Sequence, residues 1–149
     1  MSDVVATKDL VCEVRVAASP EAVWTALVER PSGWWPKGFY THPEPRGFVI
    51  EPRIGGRAYE DWGDGEGQVW YRVTGVRRGA MLRLSGEIYP EFEGPAYLQC
   101  TITLKPDGKG TVLRVQEAIL GREIEKRLDG SKKGWDALLA SFKAFVEKA

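Results

Sequence analysis

Six strand-like segments follow one another with no helix-length interval between them, and this run constrains the fold more than any other feature. Turn residues, each with Gly or Pro, separate the segments, as at Gly55-Gly56. Parallel strands need crossover connections of a dozen or more residues, so the short intervals exclude a parallel doubly wound sheet and predict antiparallel hairpins. The predicted strands are 47–51, 57–62, 68–77, 81–88, 96–104 and 111–118.

The two ends of the chain add a seventh strand and two helices. Residues 10–16 alternate between apolar and charged side chains, which predicts a half-buried strand. Ser19, Pro20 and Glu21 then suit the cap and first turn of a helix. A final helix is predicted from apolar residues at helical spacing: Trp135, Leu138, Leu139, Phe142, Phe145 and Val146. The predicted class is therefore α+β, a curved seven-stranded antiparallel sheet around a long C-terminal helix.

Length and charge exclude several kinds of partner. The 149 residues, 43% of them apolar, predict one domain over 1–149, with 1–9 as a candidate disordered segment. The 21 basic and 21 acidic side chains cancel, so no net field attracts nucleic acid or an anionic membrane. Neither a secretory signal nor a membrane-length apolar run is present. We expect a cytoplasmic protein without nucleic-acid or membrane partners, in which Cys12 and Cys100 are buried thiols.

Three motifs carry a family resemblance. Residues 18–24 read Ala-Ser-Pro-Glu-Ala-Val-Trp, residues 52–57 read Pro-Arg-Ile-Gly-Gly-Arg, and Gly-Thr-Val-Leu at 110–113 precedes Gly134 and Trp135. The first resembles an A-x-P-E-x-V-W helix opening, and the second is similar to a P-G-G-R turn with two residues inserted. Together they resemble the helix-grip fold of the START-like (SRPBCC) superfamily, closest to its activator-of-heat-shock-chaperone-ATPase-like family. The resemblance covers residues 10–146.

Geometry and resemblance both imply an apolar cavity between the sheet and the last helix, which is the default binding site. Strand parity places apolar side chains on the concave face: Leu82, Leu84, Ile88, Leu98, Cys100, Ile102 and Leu104. The aromatic residues from 34 to 46, interrupted by Pro and Gly, predict a lid. Ordinary core packing is the alternative for each ring. The candidate ligand-binding residues are Trp34, Trp35, Tyr59, Trp62, Tyr71, Ile88, Tyr97, Leu98, Glu117 and Trp135.

Glu117 is the candidate catalytic residue. It shares a strand face with Leu113 and Val115, which points its carboxyl group toward the cavity. A buried carboxylate needs a hydrogen-bond or charged partner, and burial raises its pKa. The alternative is that the strand twists at its end and exposes Glu117 to solvent.

Three functions remain open. The first is binding of a hydrophobic small molecule, lipid-like or aromatic, in the cavity with no cofactor. The resemblance implies two others: a cyclase- or dehydratase-like enzyme with Glu117 and Tyr71 or Tyr97 as acid and base, and a chaperone-activator-like interaction module. No metal is expected because His42 is the single histidine and has no grouped ligands around it. A homodimer through an edge strand or the aromatic segment is a further option.

Overall fold

The computed structural model describes residues 4–122 and 124–148, and within them the chain forms one seven-stranded antiparallel sheet. The strand order is β1-β7-β6-β5-β4-β3-β2, so the first strand pairs with the last. The predicted α+β helix-grip architecture is confirmed. The strands are β1 (Val5–Val16), β2 (Gly47–Ile50), β3 (Arg57–Gly63), β4 (Glu66–Arg77), β5 (Met81–Ile88), β6 (Ala96–Asp107) and β7 (Gly110–Arg122).

In the described ranges, three helices accompany the sheet: α1 (Pro20–Glu29), the single turn α2 (Pro31–Trp34) and the long α3 (Ile124–Lys148). The Ser19 hydroxyl caps α1 by accepting a hydrogen bond from the Ala22 amide at 3.2 Å. Short 3-10 turns lie at Lys37–Phe39 and Pro90–Phe92. Among the described residues, no helix has the length and apolarity that crossing a membrane requires.

Strands β1 and β7 are longer than predicted. Their pairing runs from Val5 opposite Arg122 to Val16 opposite Thr111. Residues 5–9 therefore belong to the sheet, although the sequence analysis placed them in a candidate disordered segment; residues 1–3 lie outside the described residues. The side chains of residues 5–9 are exposed, so they lack the buried face on which strand prediction depends. Because β7 continues to Arg122, Glu117 lies in the middle of the strand and not at its end.

The core lies between the concave face of the sheet and α3. Alternate residues of β5, β6 and β7 point into it and are buried, as parity predicts: Leu82, Leu84, Leu98, Cys100, Ile102, Leu104, Leu113, Val115 and Glu117. From α3, the residues of one helical face are buried against them: Leu138, Leu139, Phe142 and Val146. The two layers are thus closely packed over most of their contact.

Residues 31–46 lie over one end of this core, and we call them the cover segment. They include α2 and the 3-10 turn at Lys37–Phe39 and lead directly into β2. The Ser32 hydroxyl donates to the Phe48 carbonyl oxygen at 3.1 Å and accepts from the Phe48 amide at 2.9 Å. Since β2 is an edge strand, this pairing satisfies backbone groups that no neighbouring strand reaches. On the other side, the Ser141 hydroxyl of α3 donates to the Trp34 carbonyl oxygen at 2.6 Å.

Candidate functional site

A hollow of about 40 Å³ lies between the sheet and α3. Its floor includes Ala58, Tyr71 and Val115, and its side is formed by Trp34 and Trp35 of the cover segment. Apolar side-chain surface forms the whole wall. The roof comes from the inward face of α3, through Trp135, Leu138, Leu139 and Phe142.

The hollow is small for a binding site. Pockets that enclose drug-sized ligands measure roughly 300–1,000 Å³, and an apolar cavity of about 150 Å³ admits benzene. A space of about 40 Å³ accepts an atom or group of roughly methyl to xenon size. A lipid-like or aromatic ligand therefore needs part of the wall to move.

The carboxyl group of Glu117 lies beside the hollow and is bonded to Tyr71. The Tyr71 hydroxyl donates to Glu117 Oε2 at 2.7 Å, and Glu117 is 2% exposed. Gly86, the partner of Tyr71 across β4 and β5, makes this geometry possible. A Cβ atom there would lie 3.0 Å from Tyr71 Cδ1 and 2.5 Å from the Trp70 carbonyl oxygen. The absence of a side chain at Gly86 therefore lets the Tyr71 ring lie flat on the sheet.

Burial dominates the acid–base properties of this group of residues. Desolvation raises the pKa of Glu117, and hydrogen bonding from Tyr71, Trp135 and Cys100 offsets part of that increase. Burial also raises the pKa of Tyr71 well above its usual range, and the Glu117 charge adds to the effect. The pKa of Cys100 is raised well above its usual range by burial and by the same charge. The tyrosine and the thiol thus remain protonated at neutral pH.

A second buried carboxylate, Glu60 of β3, escaped the sequence analysis. It is 0% exposed, and its carboxylate accepts hydrogen bonds from the Trp62 indole at 3.0 Å and the Trp70 indole at 2.8 Å. The Thr41 amide and hydroxyl donate to it as well, at 2.9 Å and 3.1 Å. Strand parity is the sequence signal that could have revealed Glu60. Residues two apart in a strand point to the same face, and Ala58, two residues before Glu60, is buried.

Four of the predicted binding residues line the hollow: Trp34, Trp35, Tyr71 and Trp135. Two others lie on the inner face without reaching its wall. Leu98 is buried in the core, and Glu117 lies behind Tyr71.

The remaining four predicted residues lie elsewhere. Tyr59 alternates with the inward residues of β3 and has the Arg57 guanidinium 4.6 Å from its ring centroid. Trp62 is held by Glu60 and stacks on His42 at 4.8 Å. Tyr97 is 41% exposed, since its neighbours in β6 point inward. Ile88 lies at the end of β5, away from the hollow.

A larger groove, of about 770 Å³, lies at the outer end of the sheet near Ile88, Tyr97 and Leu120. It is open to solvent, and two of these three side chains, Tyr97 and Leu120, are exposed. An open groove holds a small ligand less well than an enclosed one of the same chemistry, because less of the ligand leaves water. We therefore treat the hollow, which is the more enclosed of the two, as the candidate site.

Comparison with known proteins supports the fold. None of the curated proteins compared with the chain matches it significantly. The solved structure of Mll3558 from Rhizobium loti matches 95% of this chain and 99% of its own, at 20% identity and a TM-score of 0.74. That of MLL2253 from Mesorhizobium loti matches 95% and 98%, at 22% identity and a TM-score of 0.71.

DynU16, a protein of the dynemicin biosynthetic locus, shares the fold over 93% of this chain and 47% of its own, at 20% identity and a TM-score of 0.69. A fold of this kind, with a sheet wrapped around a helix, is compatible with ligand binding. Residues 17–147 match the family described as Activator of Hsp90 ATPase homolog 1-like protein. The predicted START-like resemblance is thereby confirmed, and the chain belongs to this family.

Proposed function

We propose that this protein binds a small apolar molecule, or the apolar end of a larger one, in the hollow between the sheet and α3. The observation that carries the proposal is that the hollow is walled by apolar surface alone. Water gains no hydrogen bonds in such a space, so an apolar ligand displaces no well-held solvent. Burial of the ligand's own apolar surface then favours binding.

A ligand larger than the hollow is accommodated by movement of the cover segment. The floor is fixed by the hydrogen bonds of a continuous sheet, and the roof by the length of α3. The side formed by Trp34 and Trp35 belongs instead to a single helical turn and the bend that follows it. Segments with few supporting contacts, such as this one, are the parts of a protein that open locally.

Xenon tests the proposal because it is apolar and small. Protein labelled with ¹³C at Val and Leu methyl groups is titrated with dissolved xenon, and methyl shifts are recorded by NMR. We expect saturable shifts for Val115 and Leu139, which line the hollow. Val112, on the opposite face of β7, is the internal control and should not shift. Absence of saturable shifts at Val115 would contradict the proposal.

Acid–base catalysis is a second candidate, supported by the bonded pair of Glu117 and Tyr71. A raised pKa brings a carboxyl group closer to neutral pH, which suits proton transfer. Tyr71 lines the hollow and Glu117 lies behind it, so a substrate in the hollow meets the tyrosine directly and reaches the carboxyl group only after the wall rearranges. Dehydration of a β-hydroxy ketone, followed through the absorbance of the enone product, tests this role. Turnover in the wild type that is lost in Glu117→Gln supports it, and equal turnover removes Glu117 from the mechanism.

A further inference from the structure

The cover segment is tied to the sheet by a buried carboxylate, and we propose that Glu60 is the latch that keeps the hollow closed. Release of the latch would admit ligands larger than the hollow. The role of the latch in ligand entry rests on the proposed function, whereas the latch itself can be tested in the ligand-free protein.

The latch has a fixed side and a movable side. On the fixed side, the indoles of Trp62 in β3 and Trp70 in β4 donate to the carboxylate at 3.0 Å and 2.8 Å. On the movable side, Thr41 donates its amide at 2.9 Å, and its hydroxyl lies 3.1 Å and 3.2 Å from the two oxygens. Among the described residues of the cover segment, Thr41 is the one that donates hydrogen bonds to the Glu60 carboxylate.

Charge makes these bonds stronger than those at the other end of the segment. Within the described part of the chain, no ion pair involves Glu60, and its hydrogen-bond partners are all neutral N–H or O–H donors, which is the arrangement that suits an acceptor-only carboxylate. Hydrogen bonds to an ionised acceptor are roughly twice as strong as neutral ones. The contacts of Ser32 with Phe48 and of Ser141 with Trp34 are all neutral. The Trp34 indole also donates to the Ala26 carbonyl oxygen at 3.1 Å, and the Arg46 amide to the Asp61 carbonyl oxygen at 2.7 Å, both neutral contacts. Within the described residues, Thr41 thus makes the hydrogen bonds that attach the cover segment to a carboxylate.

Trp35 supplies an opposing tendency to open. Its ring is held by packing, stacked on Phe48 with centroids 3.8 Å apart and edge-on to Phe39 at 6.0 Å. Its indole N–H is buried and finds no hydrogen-bond partner among the residues that the structure describes. An unsatisfied buried donor is unfavourable, and the N–H gains water when the ring swings outward. The hydrogen bonds between Glu60 and Thr41, six residues after Trp35, oppose this tendency.

The direct test is Thr41→Val, with Thr41→Ser as the matched control. Valine removes the hydroxyl but keeps the shape and the amide, whereas serine keeps the hydroxyl. Thr41 is exposed, so both variants should fold. Hydrogen exchange of the ligand-free proteins is measured by mass spectrometry. We expect amides of residues 31–46 in Thr41→Val to exchange about fivefold to tenfold faster, with β6 and β7 unchanged.

Thr41→Ser should exchange at the wild-type rate. Equal exchange of residues 31–46 in the wild type and Thr41→Val would overturn the latch, whatever xenon does. Conversely, faster exchange without any xenon binding would support the latch and refute the proposed function, so the two failures are distinguishable.

Uptake of a bulky probe tests the route of entry. N-phenyl-1-naphthylamine is neutral, apolar and far larger than the closed hollow, and its fluorescence rises in apolar surroundings. We expect Thr41→Val to take it up about fivefold to tenfold faster than the wild type, in proportion to the opening of the segment. Equal uptake rates in Thr41→Val and Thr41→Ser would exclude the cover segment as the route.

Discussion

Filling the hollow should make the protein more stable, and Val115→Ile is the change that tests this. Residual cavities cost about 24 cal/mol per Å³ in core substitutions. For a hollow of about 40 Å³ the cost is about 1 kcal/mol. Isoleucine adds one methylene at a position on the floor, and burial of a methylene is worth about 0.8 kcal/mol. We expect Val115→Ile to raise the free energy of unfolding by up to about 1 kcal/mol.

Urea unfolding followed by tryptophan fluorescence measures the effect, with Val112→Ile as the control. Val112 lies on the same strand with the opposite orientation, so its free energy of unfolding should change by less than about 0.5 kcal/mol. In Val115→Ile, the methyl groups of Leu139 should also lose their saturable shifts on addition of xenon. A loss of stability of more than about 1 kcal/mol would mean that the added group is overpacked. The hollow would then not be free space, and the reasoning would be refuted.

Three further changes test other parts of the structure. Burial raises the pKa of Glu117 in the folded protein above its ordinary value of 4.5. The stability that the protonated side chain contributes is therefore fully present below pH 4.5 and is lost as pH rises through the folded pKa. The free energy of unfolding of Glu117→Gln, measured in urea from pH 4 to 8, should therefore increase relative to wild type as pH rises; parallel profiles would contradict this. Gly86→Ala should cost about 1–3 kcal/mol and perturb the near-ultraviolet circular dichroism through Tyr71; an unchanged melting curve would count against the close approach. Ser19→Ala should cost about 1 kcal/mol by uncapping α1, and Ser19→Gly less.

Much of the sheet was predictable because its signals are local. Gly and Pro mark each reversal, and the period of two along β6 assigns Leu98, Cys100 and Ile102 to one face. The same parity placed Glu117 among buried residues, where the structure has it. The predicted end at residue 118 was wrong because β7 continues through Leu120, an exposed apolar side chain that breaks the alternation, and Gly121, a residue that weakens a strand pattern.

The site was less predictable because it depends on contacts between distant strands. The family resemblance suggested Tyr71 or Tyr97 beside Glu117, but nothing near Tyr71 in sequence indicates that its hydroxyl is the one that reaches Glu117, 46 residues away. Trp62 and Tyr59 were grouped as wall residues, although a spacing of three cannot keep both on one face of a strand. Glu60 between them takes the inward position, and its four donors come from three segments. The number of aromatic residues alone does not distinguish rings that line the hollow from rings that donate hydrogen bonds to a carboxylate.

The two hydrogen bonds between Ser32 and Phe48 also protect an edge strand, β2, for as long as the cover segment is closed. When the cover segment moves away, the amide and carbonyl of Phe48 become available at a bare strand edge. Such edges recruit strands from other molecules and begin aggregation. We therefore expect long-lived open states to reduce solubility, so brief openings of the cover segment are favoured.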